Sequence, residues 1–348
     1  MVDSVKLGQH GPLVSRMGFG CMGMSANYEA DHADDESTYT LQKAYEAGIN
    51  FFDTADMYGD GHNEALLGEA LRSPLEKNRD HLVIATKCGF VRHPETVWCV
   101  DVSPEHIKQS CQDSLVRLGI SYIDLYYLHS VPAGGTEALK KSLEALVELL
   151  KAGKIKHVGL SEADVESIRF AHQYFKDVGF PNAFSAVQNE FSLFTQISLK
   201  DDVLKTCEEL GLSFIPYSPL ARGFLTEKMH ANIKFDEGDF RQYLPRFQGE
   251  NFENNLKIRD QLIEFSKTKS CTISQLALAW LLAQSKCVIP IPGTRYIKNL
   301  KNNLESLSIT LTEDDLATID TIISSLGVKG TRYAEEMYEP QNIKFERR

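Results

Sequence analysis

The sequence predicts an α/β protein: a single (β/α)8 TIM barrel, with an N-terminal hairpin and long loops over the face at the C-terminal ends of its strands. Three observations carry that expectation. Strand-like and helix-like segments alternate from one end to the other, the pattern of a parallel sheet with crossover helices. The strand-like runs number eight. Three successive runs are followed by side chains of catalytic type: Asp53 with Tyr58, then Lys87, then His129. In a parallel barrel, neighbouring strand ends lie side by side on the face where such enzymes keep their chemistry. An open doubly wound sheet shares the alternation and is the runner-up; the count of eight favours the closed barrel.

The elements follow in order. Residues 5–7 and 12–15 suit a small hairpin across the barrel floor. The strand candidates are 16–20, 50–52, 82–86, 123–128, 157–160, 185–188, 213–217 and 287–291. Between them lie helical patterns. Ile107, Cys111, Leu115 and Leu118 fall on one helical face, with Ser103 as its cap and Pro104 at its first position. Leu139, Leu143, Leu146 and Leu150 mark a second helix that Gly153 can end, and 272–284 reads the same way. The longest unassigned connection, 224–255, follows the seventh strand and would rise from the catalytic face. The tail after Gly327 is a second candidate cover. Gly18, Gly20 and Gly23 satisfy G-x-G-x-x-G, but a dinucleotide fingerprint needs a helix to open at once, and here the helix begins near Asp34. Gly20 still lets the backbone approach a ligand closely.

Composition bounds the function. The 348 residues exceed the ~250 of a typical barrel, so length alone leaves one domain with long loops or two domains open. No Pro/Gly/Ser-rich linker divides the chain, which favours one domain over 1–348. The 43% hydrophobic content is enough for a large core. The apolar runs are too short to span a bilayer, and residues 1–6 carry no apolar signal core. Seven scattered cysteines, with no CxxC pair, support neither zinc nor a disulfide framework and suit a reducing cytoplasm. A net charge of −11 argues against nucleic acid. The expected partner is a small molecule, with no metal, no nucleic acid and no membrane.

The four polar residues form a proton-transfer set. A free tyrosine has a pKa of about 10, and the ammonium of Lys87 beside Tyr58 would lower it. Asp53 would hold Lys87 charged and in place. His129 can hydrogen-bond a substrate oxygen or relay a proton. A tuned tyrosine acid aimed at a carbonyl oxygen needs something to attack the carbonyl carbon, and a hydride from a nicotinamide is the natural partner. Taken singly each residue has a plainer role: Asp53 a cap, Lys87 a surface lysine or a Schiff-base lysine, His129 structural, Tyr58 packing. Their shared place at successive strand ends favours the joint role. Cys21 and Cys88 beside this site read as packing thiols.

At these residues the chain resembles the aldo-keto reductase family, over nearly its whole length. The matching segments are DTADMYG (53–59), ATK (85–87), YLH (127–129), GLS (159–161), VQNEFS (187–192), YSPLARGFLT (217–226) and IPGTR (291–295). DFRQYLPRFQGENF (239–252) is similar to the bacterial and plant branch that includes pyridoxal and perakine reductases. The resemblance implies an NADP-dependent oxidoreductase that reduces an aldehyde or ketone, with Tyr58 as acid–base and Asp53, Lys87 and His129 as its partners. It implies that Ser161 and Gln188 hold the nicotinamide carboxamide and that Tyr217 stacks on the ring. Ser218, Pro219, Leu220, Arg222 and Gly223 would wrap the pyrophosphate. Gly293, Thr294 and Arg295, with Asn299, Asn302 and Asn303, would hold the adenosine end. Arg295 and Lys298 would meet a 2′-phosphate, favouring NADPH over NADH. Gly20 and Met22 would line the cofactor. Trp98, after the third strand, would wall the substrate pocket or simply pack. Two positions depart from the family pattern: Glu162 replaces a common Asn, and Asn302 replaces a common Glu. Both bear on the grip on the cofactor. The alternatives are a cofactor-binding sensor or accessory subunit with little turnover, and a lyase using Lys87. No dedicated partner-binding segment is visible in the sequence.

Overall fold

Inward-facing side chains that alternate with outward-facing ones along short parallel strands organise this fold. The structure is a computed structural model, and it describes residues 2–25, 34–91 and 99–334. In chain order the strands are β1 (Ser4–Lys6), β2 (Leu13–Ser15), β3 (Phe19–Gly20), β4 (Phe51–Asp53), β5 (Val83–Cys88), β6 (Phe90–Val91), β7 (Cys99–Val100), β8 (Ile123–Leu128), β9 (Ile155–Ser161), β10 (Phe184–Gln188) and β11 (Ser213–Phe214). Seven of them form one parallel sheet in the order β11-β10-β9-β8-β5-β4-β3.

The eighth stave is the segment 287–292, and its hydrogen bonds close the barrel. On one side Ile289 N donates to Phe214 O and Phe214 N to Cys287 O, both at 2.9 Å; on the other, Gly18 N donates to Pro290 O at 2.9 Å and Gly20 N to Pro292 O at 3.4 Å. The expected strand 287–291 is therefore in place but is not a regular strand. Pro290 and Pro292 have no N–H, so that edge can only accept. The expected strands 16–20 and 213–217 are shorter than predicted, at Phe19–Gly20 and Ser213–Phe214, although Tyr217 still bridges Glu190 in parallel. The antiparallel pair β6–β7 is two residues a side and leaves no readable run in the sequence.

Two apolar layers result. Inside the barrel, Phe51, Val83, Ala85, Leu125, Tyr127, Ala186, Ile215, Ile289 and Ile291 form one buried cluster. Leu7 and Val14 of the β1–β2 hairpin join it, and the hairpin is tied to the start of β11 by Gly8 N to Ser213 Oγ at 2.7 Å. It thus plugs the floor, as expected. Outside, the larger cluster lies between sheet and helices. The helix Pro104–Leu118 begins at Ser103, whose side chain accepts from His106 N, and stops at Gly119 (φ 66°). The helix Gly135–Lys151 turns Leu139, Leu143 and Leu146 inward. Thr272 opens Ile273–Gln284 with a reciprocal capping box.

Gly20 is followed by a single 3-10 turn, Met22–Met24, and the first α-helix described is Asp34–Glu46, so the glycine motif is not a dinucleotide fingerprint. The close approach that Gly20 permits is to main chain: a Cβ there would lie 2.6 Å from Ile291 O, and one on Gly293 would lie 2.4 Å from Gly20 O. The connection after Phe224 is partly helical, with Gly249–Thr268 beginning inside it, and Phe224 packs against Phe194, Phe247 and Phe252. No helix among the described residues is long and apolar enough to cross a membrane.

Candidate active site

Most of the candidate site residues stand one inward step beyond an inward-facing residue of their strand. The step is two residues, because successive side chains in a strand point to opposite faces. Phe51 leads to Asp53, Ala85 to Lys87, Tyr127 to His129, Gly159 to Ser161, Ala186 to Gln188, Ile215 to Tyr217 and Ile291 to Gly293. Parallel register then aligns them: Gly20 faces Asp53, Lys87 faces Tyr127, and Ser161 faces Gln188. Gly159 leaves room for the ring of Tyr127, since a Cβ there would lie 2.2 Å from it.

Lys87 is the hub. Its Nζ donates to Asp53 Oδ1 at 2.5 Å, to Thr54 O at 2.7 Å and to Tyr58 Oη at 3.3 Å. Three acceptors for three protons describe an ammonium. Burial works against that charge, but the Asp53 carboxylate and the Tyr58 phenol outweigh it and hold the pKa of Lys87 above its ordinary value. A lysine so protonated is no Schiff-base nucleophile. In its bond with Lys87 the phenol oxygen of Tyr58 accepts, so its own proton can be donated elsewhere. His129 lies edge-on to Tyr58, ring centroids 5.8 Å apart, and edge-on to Phe90 at 4.8 Å. Burial, then the charge of Lys87, push the imidazole pKa well below its usual value, so the ring is neutral at physiological pH. Its Nδ1 is buried without a partner among the described residues. The four side chains expected to converge do so, and they can protonate an oxygen brought between Tyr58 and His129.

Several bracing residues are not legible in the sequence. Tyr58 opens a tight turn whose next three residues, Gly59, Asp60 and Gly61, all have positive φ. Asn63 fastens it: it accepts from Thr54 Oγ1 at 2.7 Å and donates to Cys21 O at 2.9 Å. Behind β5, Thr86 Oγ1 donates to Glu64 Oε1 at 2.6 Å, and Arg117 Nε donates to Glu64 Oε2 at 2.7 Å. Asp56 lines a cavity of about 360 Å³ with Phe90 and Arg117. Burial and the charge of Glu64 raise its carboxyl to about 7.

The other half of the face carries the residues expected to hold a cofactor. Gln188 joins the two halves, its Nε2 donating to Asp53 Oδ2 at 2.8 Å. The loop after β11 curls tightly, with Ser218, Ala221 and Arg222 all at positive φ; such curls form concavities that bind anions. Arg222 pairs with Glu190 at 3.1 Å. Glu190, 1% exposed, also lies 3.6 Å from Arg246 and 3.8 Å from Arg332, and accepts from Thr195 Oγ1 at 2.7 Å. Burial would raise its carboxyl, but the guanidinium groups of Arg222, Arg332 and Arg246 pull it to about 2. Glu162, the departure from the family pattern, has φ 52° and pairs with Arg332 at 3.0 Å. Among the described residues, three guanidinium groups thus gather around the two carboxylates Glu162 and Glu190. The donor set fits a phosphate-bearing group.

The adenosine-end candidates lie at the end of the eighth stave and on the helix Ile297–Glu305. Arg295 is 7% exposed, and its carbonyl accepts from Thr40 Oγ1 at 2.6 Å. Asn303 is buried, Asn299 half-buried, and Lys298 exposed. Asn302 Oδ1 accepts from the cap residue Thr272 at 3.1 Å, so part of its capacity goes to the helix start. Trp98 lies outside the described residues. Cys21 and Cys88 are buried free thiols, and burial raises the pKa of both, which makes them inert packing groups.

A family model described as the aldo/keto reductase family matches residues 16–324. A probable aldo-keto reductase 1 of Glycine max is 38% identical over 332 residues, covering 95% of this chain and 92% of that protein. Among solved structures, a glycerol dehydrogenase from Gluconobacter oxydans matches with a TM-score of 0.80 at 26% identity, over 94% of this chain and 97% of its own. An aldo-keto reductase from Bacillus halodurans in its holo form matches with a TM-score of 0.72 at 25% identity, over 97% of this chain and 100% of its own.

Proposed function

The chain belongs to the aldo/keto reductase family, which implies nicotinamide-dependent carbonyl reduction, and on that premise we propose that it reduces an aldehyde or ketone reversibly with NADPH, Tyr58 supplying the proton. The observation that carries this reading is the Lys87 ammonium set between Asp53 and the Tyr58 phenol, with a neutral His129 alongside. A bound nicotinamide supplies the hydride that attacks the carbonyl carbon. The protein's share is the rest. His129, neutral, hydrogen-bonds the carbonyl oxygen and holds it toward Tyr58. Tyr58 protonates that oxygen as negative charge develops on it, and the ammonium of Lys87 stabilises the phenolate left behind. Asp53 keeps Lys87 charged, and Gln188 keeps Asp53 in place. In the oxidative direction the same phenolate accepts the proton.

The residues suited to hold the cofactor are Ser161, Gln188 and Tyr217 at the nicotinamide, the 218–223 curl with Arg222 at the pyrophosphate, and 293–303 at the adenosine. Arg295, with Lys298 three residues on, supports a preference for the 2′-phosphate of NADPH.

Two measurements test the reading. NADPH and NADH are titrated separately by fluorescence, and turnover is followed on a panel of aliphatic, aromatic and sugar aldehydes. Tyr58→Phe is expected to lower turnover about 10²–10⁴-fold, the usual contribution of a positioned acid, while NADPH binding stays within a few-fold of the parent. Full turnover in Tyr58→Phe would sink the mechanism. Tight NADPH binding with no turnover on any carbonyl would favour a sensor or accessory subunit.

A further inference from the structure

Gln188 carries two assignments. Its Nε2 donates to Asp53 Oδ2 at 2.8 Å, while Lys87 Nζ holds Asp53 Oδ1 at 2.5 Å. The nicotinamide reading gives the same Gln188 amide to the cofactor's carboxamide. Tyr127 on β8 lies beside this arrangement. Its strand neighbours are Lys87 and Gly159, and Gly159 leaves room for its ring. The side chain is fully buried in the inner cluster of the barrel. Its hydroxyl makes no hydrogen bond among the described residues, although its polar neighbours are the Asp53 carboxylate and the Gln188 amide. Burial, then the charge of Asp53, raise the phenol pKa well above its usual value, so the group keeps its proton and can donate it. A buried hydroxyl without a partner is costly, and a phenylalanine would fill the same space without that cost.

We propose that Tyr127 is a positioning residue: when Gln188 turns its amide to the nicotinamide carboxamide, the Tyr127 hydroxyl replaces it as the donor to Asp53 Oδ2. The inference deepens the nicotinamide reading above and rests on it. Its argument is a count of donors. A reciprocal pair with a carboxamide uses both the oxygen and the NH2 of Gln188, and the NH2 is the group that faces Asp53. A carboxylate oxygen left bare at that depth would loosen the hold on the Lys87 ammonium, and with it the tuning of Tyr58. The groups facing Asp53 are Lys87 from β5, Gln188 from β10, Tyr127 from β8 and the Cys21 thiol after β3. Lys87 already has three acceptors, and Cys21 Sγ donates to Phe19 O at 3.9 Å. Among the described residues, Tyr127 is the facing donor whose proton is uncommitted.

The test uses the full chain and Tyr127→Phe, which deletes one oxygen and keeps the ring. Without cofactor, its urea midpoint is expected at or above that of the parent, because the lost hydroxyl made no hydrogen bond there. With NADPH the order reverses. The dissociation constant rises, and hydride transfer in a single stopped-flow turnover slows, each by about tenfold or more, the scale of one hydrogen bond to a charged group. Binding of 2′-phospho-ADP-ribose, which lacks the nicotinamide, is unchanged. The acid limb of the single-turnover rate moves to higher pH, because Asp53 with one donor fewer takes up a proton more readily; a merely structural tyrosine would not move it. A further arm needs no cofactor. Gln188→Ala leaves Tyr127 to serve Asp53, so adding Tyr127→Phe to it lowers the urea midpoint, although Tyr127→Phe alone does not. Unchanged NADPH affinity and hydride transfer in Tyr127→Phe, or the same effect on stability with and without Gln188, overturns the exchange and leaves the reductase reading standing. A parent protein that binds neither NADPH nor NADH overturns the nicotinamide reading itself, and the exchange with it.

Discussion

The two halves of the face hold buried carboxylates in opposite ways. At Asp53 one carboxylate meets one ammonium, and charge is balanced with a phenol beside it. At Glu190, among the described residues, three guanidinium groups crowd two carboxylates. The first arrangement suits proton transfer, since a balanced pair can tune a neighbour without attracting ions into the site. The second suits a ligand that brings negative charge of its own. Rigidity differs as well. Asp53 and Lys87 sit on adjacent strands of one sheet, whereas Glu162, Glu190, Arg222, Arg246 and Arg332 come from strand ends, loops and the tail.

This contrast predicts unequal costs of losing a charge. Lys87→Met leaves Asp53 buried without the ammonium that balances it, and it should abolish turnover and lower stability by about 3–5 kcal/mol, the range for breaking a buried pair, as read by urea unfolding. A loss below about 1 kcal/mol would show that Asp53 is protonated rather than paired, since a neutral carboxyl leaves no bare charge behind.

Glu190→Gln should rank second. The carboxyl of Glu190 is held at about 2 in the fold, below its unfolded value, so its contribution is fully present above about pH 4.5 and is lost as pH falls through 2. Linkage puts that contribution at about 3 kcal/mol at pH 7. The stability gap between parent and variant should stay level from about pH 7 to 5 and narrow below about 4.5; a gap independent of pH down to about 3 would contradict the cluster.

Arg246→Met should be the mildest, about 1–2 kcal/mol at pH 7, on the scale of its lost hydrogen bonds. Arg222 and Arg332 still pair Glu190, so no carboxylate is bared. A loss as large as that of Lys87→Met would erase the distinction between a carboxylate with one cationic partner and one with several.

Much of the proton-transfer half is legible in the sequence. Asp53, Lys87 and His129 each follow an apolar run by a fixed inward step, and a period of two survives whatever the helices between strands do. The cofactor half is legible residue by residue but not as a network. The resemblance implies Arg222 at a phosphate; that it also pairs with Glu190 depends on the curl at 218–223, which no periodicity announces. Glu162 reads as a departure that weakens the site, and its partner Arg332 stands 170 residues away. Asn63 and Glu64 are polar residues on a helix that would ordinarily face water, and only the packing of that helix against β5 and Arg117 buries them.

The chain by itself determined the alternation of strand and helix, the eight staves, and the four residues that meet at the strand ends, because local hydrophobic pattern dictates which side chains point inward and order along the chain dictates which strands are neighbours. Tertiary structure alone decided how the barrel closes on two prolines, which carboxylates meet one cation and which meet several, and that Arg332 returns to the site. Those outcomes depend on charges brought together across long stretches of chain. Coulomb interaction depends on distance in space and on the water excluded around it, and neither is written in sequence spacing.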